Sequence, residues 1–344
     1  MDGSIGARPA VPCVIVVPLH RAMASVLVSL VVTASLPALP ALVAETYPAR
    51  PVRMLIPYPP GGGLDLPGRA VGQKFAEATG QQMVVDNRGG AGGLIASELV
   101  AKSAPDGYTL LLASNGQISI APYLYEKLPY DPLTDLVPIT HFVDTPMVLF
   151  VNASYPVKTV GDLIALAKGK PRQIGIAQSG VGGVSHLTQE LFRQRAGIEV
   201  LGVPYKGAGA ALGDVAGGSV PFIFTTVSTA RGLLDAGRVR ALGVAARART
   251  TSLPGVPTFE ELGLPGVIGN LWIGMMAPKG TPERIIVRLH QEFSRALAAP
   301  DVKERLATQS AEIVASGPRE FGQMIRKDAE LWRGVIKTAN VKLE

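Results

Sequence analysis

From about residue 50 onward, short runs of Val, Ile and Leu alternate with longer stretches in which apolar residues recur every three or four positions. The short runs predict β-strands, and the amphipathic stretches predict α-helices. The predicted strands are 52–56, 83–85, 108–113, 147–151, 174–177, 202–204, 222–225, 239–245, 274–277 and 312–315. The predicted helices are 66–79, 93–101, 160–168, 186–195, 208–216, 228–236, 282–298, 300–308 and 318–339. This alternation is typical of an α/β fold with parallel sheets.

The predicted elements fall into two groups along the chain, one before about Phe150 and one after it. The helices that follow Trp272 have no sheet of their own unless they return to the first group. We therefore predict two lobes, 45–148 with 273–344 and 149–272, joined by crossings near 146–152 and 268–276. Two crossings form a double hinge, which makes a cleft that can close on a ligand.

The first 44 residues differ in composition from the remainder of the chain. The segment 22–32 has the length of the apolar core of a signal peptide, and His20 and Arg21 supply its positive flank. These features predict a signal peptide at 1–44 and a periplasmic protein. Cleavage after Ala34 competes with cleavage after Ala44, and an uncleaved membrane anchor is the alternative interpretation.

Composition and charge exclude several classes of protein. The chain has 344 residues, of which 47% are hydrophobic and 17% charged, so it suits a globular protein and is too apolar for a disordered one. The single cysteine, Cys13, excludes a disulfide framework, and the four histidines lack metal-ligand spacing, so we expect no metal and no cofactor. Beyond residue 44 there are 33 − 2 = 31 basic and 27 − 1 = 26 acidic side chains, without a basic run. This mild excess does not predict nucleic-acid binding, but it is compatible with a small anionic ligand.

Two glycine-rich loops each lie between a predicted strand and a predicted helix. The first is PYPPGGGLDL at 57–66, and the second is AQSGVGGVSH at 177–186. Glycines let a ligand approach the backbone, and the first amides of a helix attract an anion. Neither loop completes G-x-G-x-x-G, and the first lacks the Lys-Ser/Thr pair of a P-loop. The alternative is that both are tight turns, with Ser179 and Ser185 acting only as helix caps.

Polar residues also follow two further predicted strands. Ser114 and Asn115, in ASNGQ, offer hydrogen-bond donors. Tyr205, in VPYKG, offers a hydroxyl group, whereas we expect Lys206 to face solvent.

A hydrolase would need a nucleophile and a base within reach of each other. Ser179 and His186 are the candidate pair, but the motif G-x-S-x-G is absent. We therefore predict a binding protein without enzymatic activity, and an exported hydrolase that uses this pair is the alternative.

The order of several longer motifs resembles the Bug family, the exported substrate-binding proteins of tripartite tricarboxylate transporters. The match runs from about Tyr47 to the C-terminus, and the motifs that carry it are YPARPVRMLIPYPPGGGLD, VVDNRGGAGG, AKSAPDGYTLLLASNG, LPYDPLTDLVPIT, AQSGVGGVSH, VPYKG, RALGV, LPGVPTFEELGLPG and GMMAPKGTP. The resemblance implies an α/β fold of the type II periplasmic-binding-protein kind, with two lobes, a ligand cleft and two interlobe crossings. It also implies a monomer that presents a small carboxylate, often a dicarboxylate, to a membrane permease.

For individual residues, the resemblance implies that loop 58–65 holds one end of the ligand through backbone amides and ordered water. It implies that 179–186, at a helix start, receives a carboxylate. The expected ligand-binding residues are Tyr58, Gly61, Gly62, Gly63, Asp65, Ser114, Asn115, Ser179, Gly180, Gly182, Ser185, His186, Tyr205 and Thr225.

One position departs from the family pattern. Thr225 stands in FIFTT, where members commonly carry an acid after the position of Phe224. The loss of an anion from the cleft changes the expected ligand set, and the apolar residues Pro59, Leu64 and Leu66 of the first loop favour a bulkier or aromatic acid. A sensory role, in which the liganded protein docks on a histidine kinase, would use the same cleft.

Overall fold

In the computed structural model, which describes residues 47–61 and 63–343, strands and helices alternate along the described chain. The predicted signal peptide at 1–44 and Gly62 lie outside the described residues. Within those residues, no helix combines the length and the apolar composition that are needed to cross a bilayer.

The described elements correspond closely to the predicted ones. The strands are β1 (Val52–Ile56), β2 (Met83–Asn87), β3 (Thr109–Ser114), β4 (Leu136–Asn152), β5 (Gly175–Gln178), β6 (Leu201–Pro204), β7 (Phe222–Thr226), β8 (Val239–Val244), β9 (Asn270–Pro278) and β10 (Glu312–Ser316). The helices are α1 (Asp65–Thr79), α2 (Leu94–Ala101), α3 (Ala121–Leu124), α4 (Val160–Gly169), α5 (Val184–Ala196), α6 (Ala208–Gly217), α7 (Val227–Asp235), α8 (Glu283–Ala298), α9 (Pro300–Thr308) and α10 (Pro318–Ala339). A π-helical turn at Gly116–Ile120 leads into α3, and the sequence pattern predicts neither of these two elements.

The strands form a continuous hydrogen-bonded sheet in the order β2-β1-β3-β9-β4-β7-β5-β6, with β8 and β10 paired to β4 outside this order. β1 is parallel to β2 and β3, and β5 is parallel to β6 and β7. β4 is antiparallel to β7, β8, β9 and β10. The sheet therefore contains two parallel parts, and both lead from the carboxyl end of a strand into a glycine-rich loop.

β4 connects these two parts of the sheet. It pairs with β9 up to Pro146 and with β7 and β8 from Met147 onward, in the region where the first crossing is predicted. The predicted strand at 147–151 covers only the second part, because polar residues interrupt the apolar run before it. Two of them, His141 and Asp144, pair with each other at 2.9 Å between Nε2 and Oδ1.

The C-terminal helix α10 packs on both parts of the sheet. Phe321 and Ile325, in its first half, join the apolar cluster around β3 and β9. Trp332, Val335 and Ile336, in its second half, join the cluster around β5, β7 and α5. The lobe boundaries, which assign all of 273–344 to the first lobe, stay a prediction.

Candidate functional site

The first glycine-rich loop is held in place by the carboxylate of Asp65, the first residue of α1. Asp65 Oδ2 accepts hydrogen bonds from the Gly61 amide at 3.0 Å and from Arg69 Nε at 2.9 Å. Its Oδ1 accepts a bond from Asn87 Nδ2 at 3.1 Å, and Asn87 Nδ2 also donates to the Tyr58 carbonyl at 3.0 Å. Burial raises the pKa of Asp65, but the bonds from Arg69, Gly61 and Asn87 outweigh burial and lower the pKa below its usual value. The negatively charged Asp65 side chain therefore holds the first glycine-rich loop in place.

The backbone at the start of α1 is open. No side chain caps the helix, and among bonds between described residues the first amide of α1 that bonds back is that of Gly68, to the Leu64 carbonyl at 3.1 Å. Gly61 and Gly63 are exposed, and a Cβ built on either of them meets nothing within 4 Å. Because Pro67 has no N–H, the amides of Asp65 and Leu66 are the ones that the start of α1 presents to an anion.

Ser114 and Asn115 lie buried at the carboxyl end of β3, next to the first loop. The Ser114 hydroxyl donates to Gln117 Oε1 at 2.9 Å. Asn115 Nδ2 donates to the carbonyl of Asn270 at 2.6 Å, which ties β3 to the start of β9. Burial raises the pKa of the Tyr58 hydroxyl, and the nearby Ser114 hydroxyl lowers it in part. These side chains therefore form a polar floor beside the first loop.

Several polar atoms of this floor have no protein partner. Asn115 Oδ1, Gln117 Nε2 and Asn270 Oδ1 are buried and lack a hydrogen bond to any other described residue. Buried polar atoms of this kind are normally satisfied by water or by a ligand. The sequence pattern singles out Asn115 but neither Gln117 nor Asn270, although Gln117 lies in the same ASNGQ motif.

The second glycine-rich loop leads from β5 into α5, which also has no side-chain cap. Leu187 is the first residue of α5 whose amide bonds back, to the Gly183 carbonyl at 2.9 Å. Among the described residues, the amides of Val184, Ser185 and His186 have no acceptor. The Ser185 hydroxyl donates to the Phe224 carbonyl in β7, so it is turned away from these amides. The backbone, more than the serine side chain, is what this helix start offers to an anion.

The Gly182 amide, in contrast, is already bonded. It donates to His186 Nδ1 at 3.0 Å, and the His186 side chain is buried. His186 Nε2 lies 3.9 Å from Glu190 Oε1. Burial lowers the pKa of His186, and the charge of Glu190 opposes this effect. His186 therefore interacts with its own loop and its own helix.

The second loop lies against the segment that follows β3. Gly182 has a φ of 77°, and a Cβ at this position would come within 2.6 Å of Leu124 Cδ1 and 3.4 Å of Leu343 Cδ2. Leu124 ends α3, and on the other side of this segment a Cβ on Gly116 would lie 3.2 Å from the Tyr58 hydroxyl. The stretch from Gly116 to Leu124 thus contacts both glycine-rich loops.

Two further predicted site residues lie in β7 and after β6. The Tyr205 hydroxyl donates to Asp214 Oδ2 at 2.8 Å, and this carboxylate belongs to α6. Thr225 is buried in β7, opposite Val148 of β4. The next residue, Thr226, accepts the Thr229 amide and caps α7. Of the predicted residues in the second loop, Ser179 and Gly180 are partly exposed.

A family model described as the tripartite tricarboxylate transporter family receptor matches residues 68–341. The chain belongs to this family. The resemblance to its Bug members is therefore confirmed, and members of the family are periplasmic solute receptors. The chain is 38% identical over 302 residues to protein BugT of Bordetella pertussis, and the match covers 88% of this chain and 93% of BugT.

Solved structures of similar receptors share the fold. R. palustris Rpa4515, solved with adipate, is 34% identical with a TM-score of 0.75, and the match covers 86% of this chain and 100% of that protein. MatC from Rhodopseudomonas palustris, solved with bound malate, is 32% identical with a TM-score of 0.72, and the match covers 84% of this chain and 100% of MatC. These similarities confirm the predicted α/β architecture of the periplasmic-binding-protein kind.

Proposed function

We propose that this receptor captures a small carboxylate, either a dicarboxylate or an aromatic acid, between loops 58–65 and 179–186. The observation that carries the proposal is the pair of open helix starts. α1 and α5 each follow a glycine-rich loop at the carboxyl end of a parallel strand, and neither has a side-chain cap. Ligands of open α/β sheets bind at such strand ends.

The electrostatics of the two loops favour recognition by backbone amides. Neither loop contains Arg or Lys, and Arg69, in the first turns of α1, is bonded to Asp65 and Asn87. A carboxylate that accepts two amide hydrogen bonds at a helix N-terminus gains from the partial positive charge there without a cationic side chain. Two such sites suit an acid with a carboxylate at each end, and the similar receptors solved with adipate and malate support this ligand class.

The replacement of the usual acid by Thr225 supports a broader ligand set. Thr225 is buried and uncharged. In the proposed cleft, this position would therefore repel neither a second negative group nor the apolar part of a ligand. We therefore include aromatic acids in the proposed class beside the linear dicarboxylates.

Export and transport complete the proposal. The residues 1–44 act as a signal peptide, and the liganded receptor delivers its acid to the permease of a tripartite tricarboxylate transporter. The family assignment supports both steps. N-terminal sequencing of periplasmic material should find that these residues have been removed, and recovery only from membranes with Met1 or Met23 in place would reject export by this route.

The hydrolase alternative is less compatible with the geometry. A base for Ser179 would need a free ring nitrogen, but His186 Nδ1 accepts the Gly182 amide and Nε2 faces Glu190. The family to which the chain belongs consists of solute receptors.

A ligand screen tests the proposed function directly. Thermal shift and calorimetry with mono-, di- and tricarboxylates and aromatic acids should identify at least one acid that binds, and that acid at 100 times its Kd should add about 2.7 kcal/mol of stability. The fully methylated ester of each acid that binds is the matched control and should not bind. If no acid shifts the melting temperature at millimolar concentration, the proposal is wrong.

A further inference from the structure

The hydrogen bond between Gly182 and His186 joins the second loop to the helix that follows it. His186 is the third residue of α5, and its ring reaches back so that Nδ1 accepts the Gly182 amide at 3.0 Å. A ring nitrogen accepts a hydrogen bond only when it carries no proton. The bond therefore specifies a neutral ring with its proton on Nε2.

The loop has few other internal constraints. Gly180 and Gly182 have φ values of 124° and 77°, and the remaining backbone bond within the turn, from the Gly183 amide to the Gly180 carbonyl, is long at 3.3 Å. Glycines at such positions permit many backbone conformations when nothing else holds them. The His186 ring is the side chain that fixes the Val181–Gly182 peptide, which lies two residues before the open amide of Val184.

We propose that His186 is a positioning residue that locks the second loop through Nδ1 and does not itself contact the ligand. The inference deepens the proposed function, because the locked conformation is the one that presents the start of α5 to a carboxylate. It also makes ligand binding depend on pH, since a proton on Nδ1 would face the Gly182 N–H and two donors cannot bond to each other. The loop must then leave this conformation.

The surroundings of the ring decide how easily it takes up that proton. An open pocket of about 480 Å³ lies beside His186, and its walls carry both charge signs. The charged groups that line it are Glu190 and Arg193 of α5, Arg172 and Glu199 near β5 and β6, and Lys342 of the C-terminal segment. Arg193 bonds to Glu190 at 2.9 Å and to Glu199 at 3.0 Å, so these carboxylates are already partly neutralised.

Burial lowers the pKa of His186, whereas Glu190 raises it to a smaller extent. The ring is therefore neutral at pH 7, as the bond to Gly182 requires. As the pH falls through the pKa of His186, the bond is lost, and the affinity for an acid should fall with it.

Asparagine and glutamine substitutions separate the two ring nitrogens. The Oδ1 atom of Asn can occupy the place of Nδ1 and accept the Gly182 amide without titrating, whereas the longer Gln side chain reaches the place of Nε2. His186→Leu removes both nitrogens. His290→Asn is the matched control, because His290 lies in α8 and its Nδ1 contacts Thr140 Oγ1 at 2.9 Å, outside both loops.

The first measurement needs no ligand. Hydrogen exchange and ¹⁵N NMR of the folded proteins should show a protected Gly182 amide and the Nε2–H tautomer of His186 in the wild type. Protection should persist in His186→Asn and be lost in His186→Leu. Equal exchange of the Gly182 amide in the wild type and in His186→Leu would overturn the inference, even if the receptor binds none of the acids tested.

The second measurement is calorimetry with adipate and with malate between pH 5 and pH 8. We expect the wild type to bind more weakly as the pH falls from 7.5 towards 5, with His290→Asn behaving in the same way. His186→Asn should stay within about threefold of the wild type at pH 7.5 and lose the part of the pH dependence that comes from the ring. Protonation of the acid's own carboxylates affects every variant alike, so the ring's part is the difference between the wild type and His186→Asn. His186→Leu should be about tenfold weaker than the wild type at pH 7.5.

Two results would contradict a positioning role. If His186→Gln retains affinity and His186→Asn loses it, then Nε2 contacts the ligand directly. If the wild type binds more tightly at pH 5 than at pH 7.5 and His186→Asn does not, the protonated ring attracts the anion. The hydrogen bond between His186 and Gly182 then does not control the affinity. Failure of the wild type to bind any acid would count against the proposed function, while the amide-exchange experiment would still decide the role of His186.

Discussion

Trp272 Nε1 donates a hydrogen bond of 2.7 Å to Asp328 Oδ2, and this bond ties the start of β9 to the middle of α10. Asp328 lies between the two halves of α10, of which one packs around β3 and β9 and the other around β5 and β7. Ser119 and Trp332 also face this carboxyl group, and Asp144 adds a negative charge nearby. An acid therefore lies where the helix passes from one part of the sheet to the other.

Asp328 should make the protein less stable as the pH rises. Burial raises its pKa from 3.8 to about 6, although the hydrogen bond from Trp272 and the nearby polar groups of Ser119 and Trp332 oppose this shift. The folded protein holds the proton more tightly than the unfolded chain, so this contribution is fully present below pH 3.8 and is lost as the pH rises through about 6. Asp328→Asn keeps an acceptor for Trp272 and removes the charge.

We expect urea unfolding at pH 7.5 to show Asp328→Asn about 1 to 3 kcal/mol more stable than the wild type, with a smaller difference at pH 4.5. Glu330→Gln is the control, since it removes a charge from the same helix at an exposed position. A wild type that gains stability relative to Asp328→Asn between pH 4.5 and pH 7.5 would show that the sign is wrong.

Asp65→Ala should loosen the first loop. The change leaves the Gly61 amide, Arg69 and Asn87 without their shared acceptor, and the loss of a charged hydrogen-bond acceptor costs about 1.5 to 3 kcal/mol. Chemical denaturation should show this loss, together with weaker binding of the cognate acid. Asp301→Ala, which removes an exposed partner of Lys74, is the control and should cost less stability than Asp65→Ala.

Side chains added at two glycines should block the ligand without straining the backbone. Gly63 has nothing within 4 Å of a built Cβ, and at Gly183 the nearest atom is the Gly180 carbonyl oxygen at 3.5 Å. Gly63→Val and Gly183→Val should therefore fold normally and weaken binding at least about tenfold. Gly182→Val is a poor test, because its left-handed φ and its contact with Leu124 would strain the folded state.

Two controls accompany these variants. Gly255→Val adds the same side chain at an exposed position with open space and should bind like the wild type. Lys206→Ala should cost less than about threefold in affinity, because Lys206 is exposed and the proposed sites use amides. Full loss of binding in Lys206→Ala, with both glycine variants unaffected, would mean that a side-chain ion pair holds the acid.

The two predicted lobes should close on the ligand. We expect small-angle scattering to show a smaller radius of gyration at saturation with the acid that binds, because β4 passes between the two parts of the sheet and hinges concentrate at such crossings. An unchanged radius at saturation would contradict a closing cleft.

The pattern of apolar residues predicts most of the fold, because the strands and the amphipathic helices bury regular faces. It fails where burial depends on pairing between polar side chains. β4 begins at Leu136, eleven residues before the predicted strand at 147–151, because His141 and Asp144 satisfy each other inside the protein. The turn at Gly116–Ile120 and the four-residue helix after it are too short to show a helical period.

For the candidate site, the sequence predicts where the loops are but not what their side chains do. Asp65, Ser185 and Tyr205 are polar residues beside a predicted cleft, and in the structure each bonds to another part of the protein. The pair of Asp65 with Arg69 is an i,i+4 contact that helical spacing indicates. The bonds of Asp65 to Asn87, of Ser185 to Phe224 and of Tyr205 to Asp214 depend on tertiary contacts, which spacing along the chain does not reveal.

A crystal structure of the receptor with the acid selected by the ligand screen examines the amide sites atom by atom. We expect one carboxylate to lie within about 2.7 to 3.2 Å of the amide nitrogens of Val184 or Ser185, and the other acidic or polar end to lie at the start of α1. His186 should still accept the Gly182 amide in that complex. If the carboxylate instead binds Lys206 or another cationic side chain, with the starts of α1 and α5 unoccupied, recognition by backbone amides is refuted.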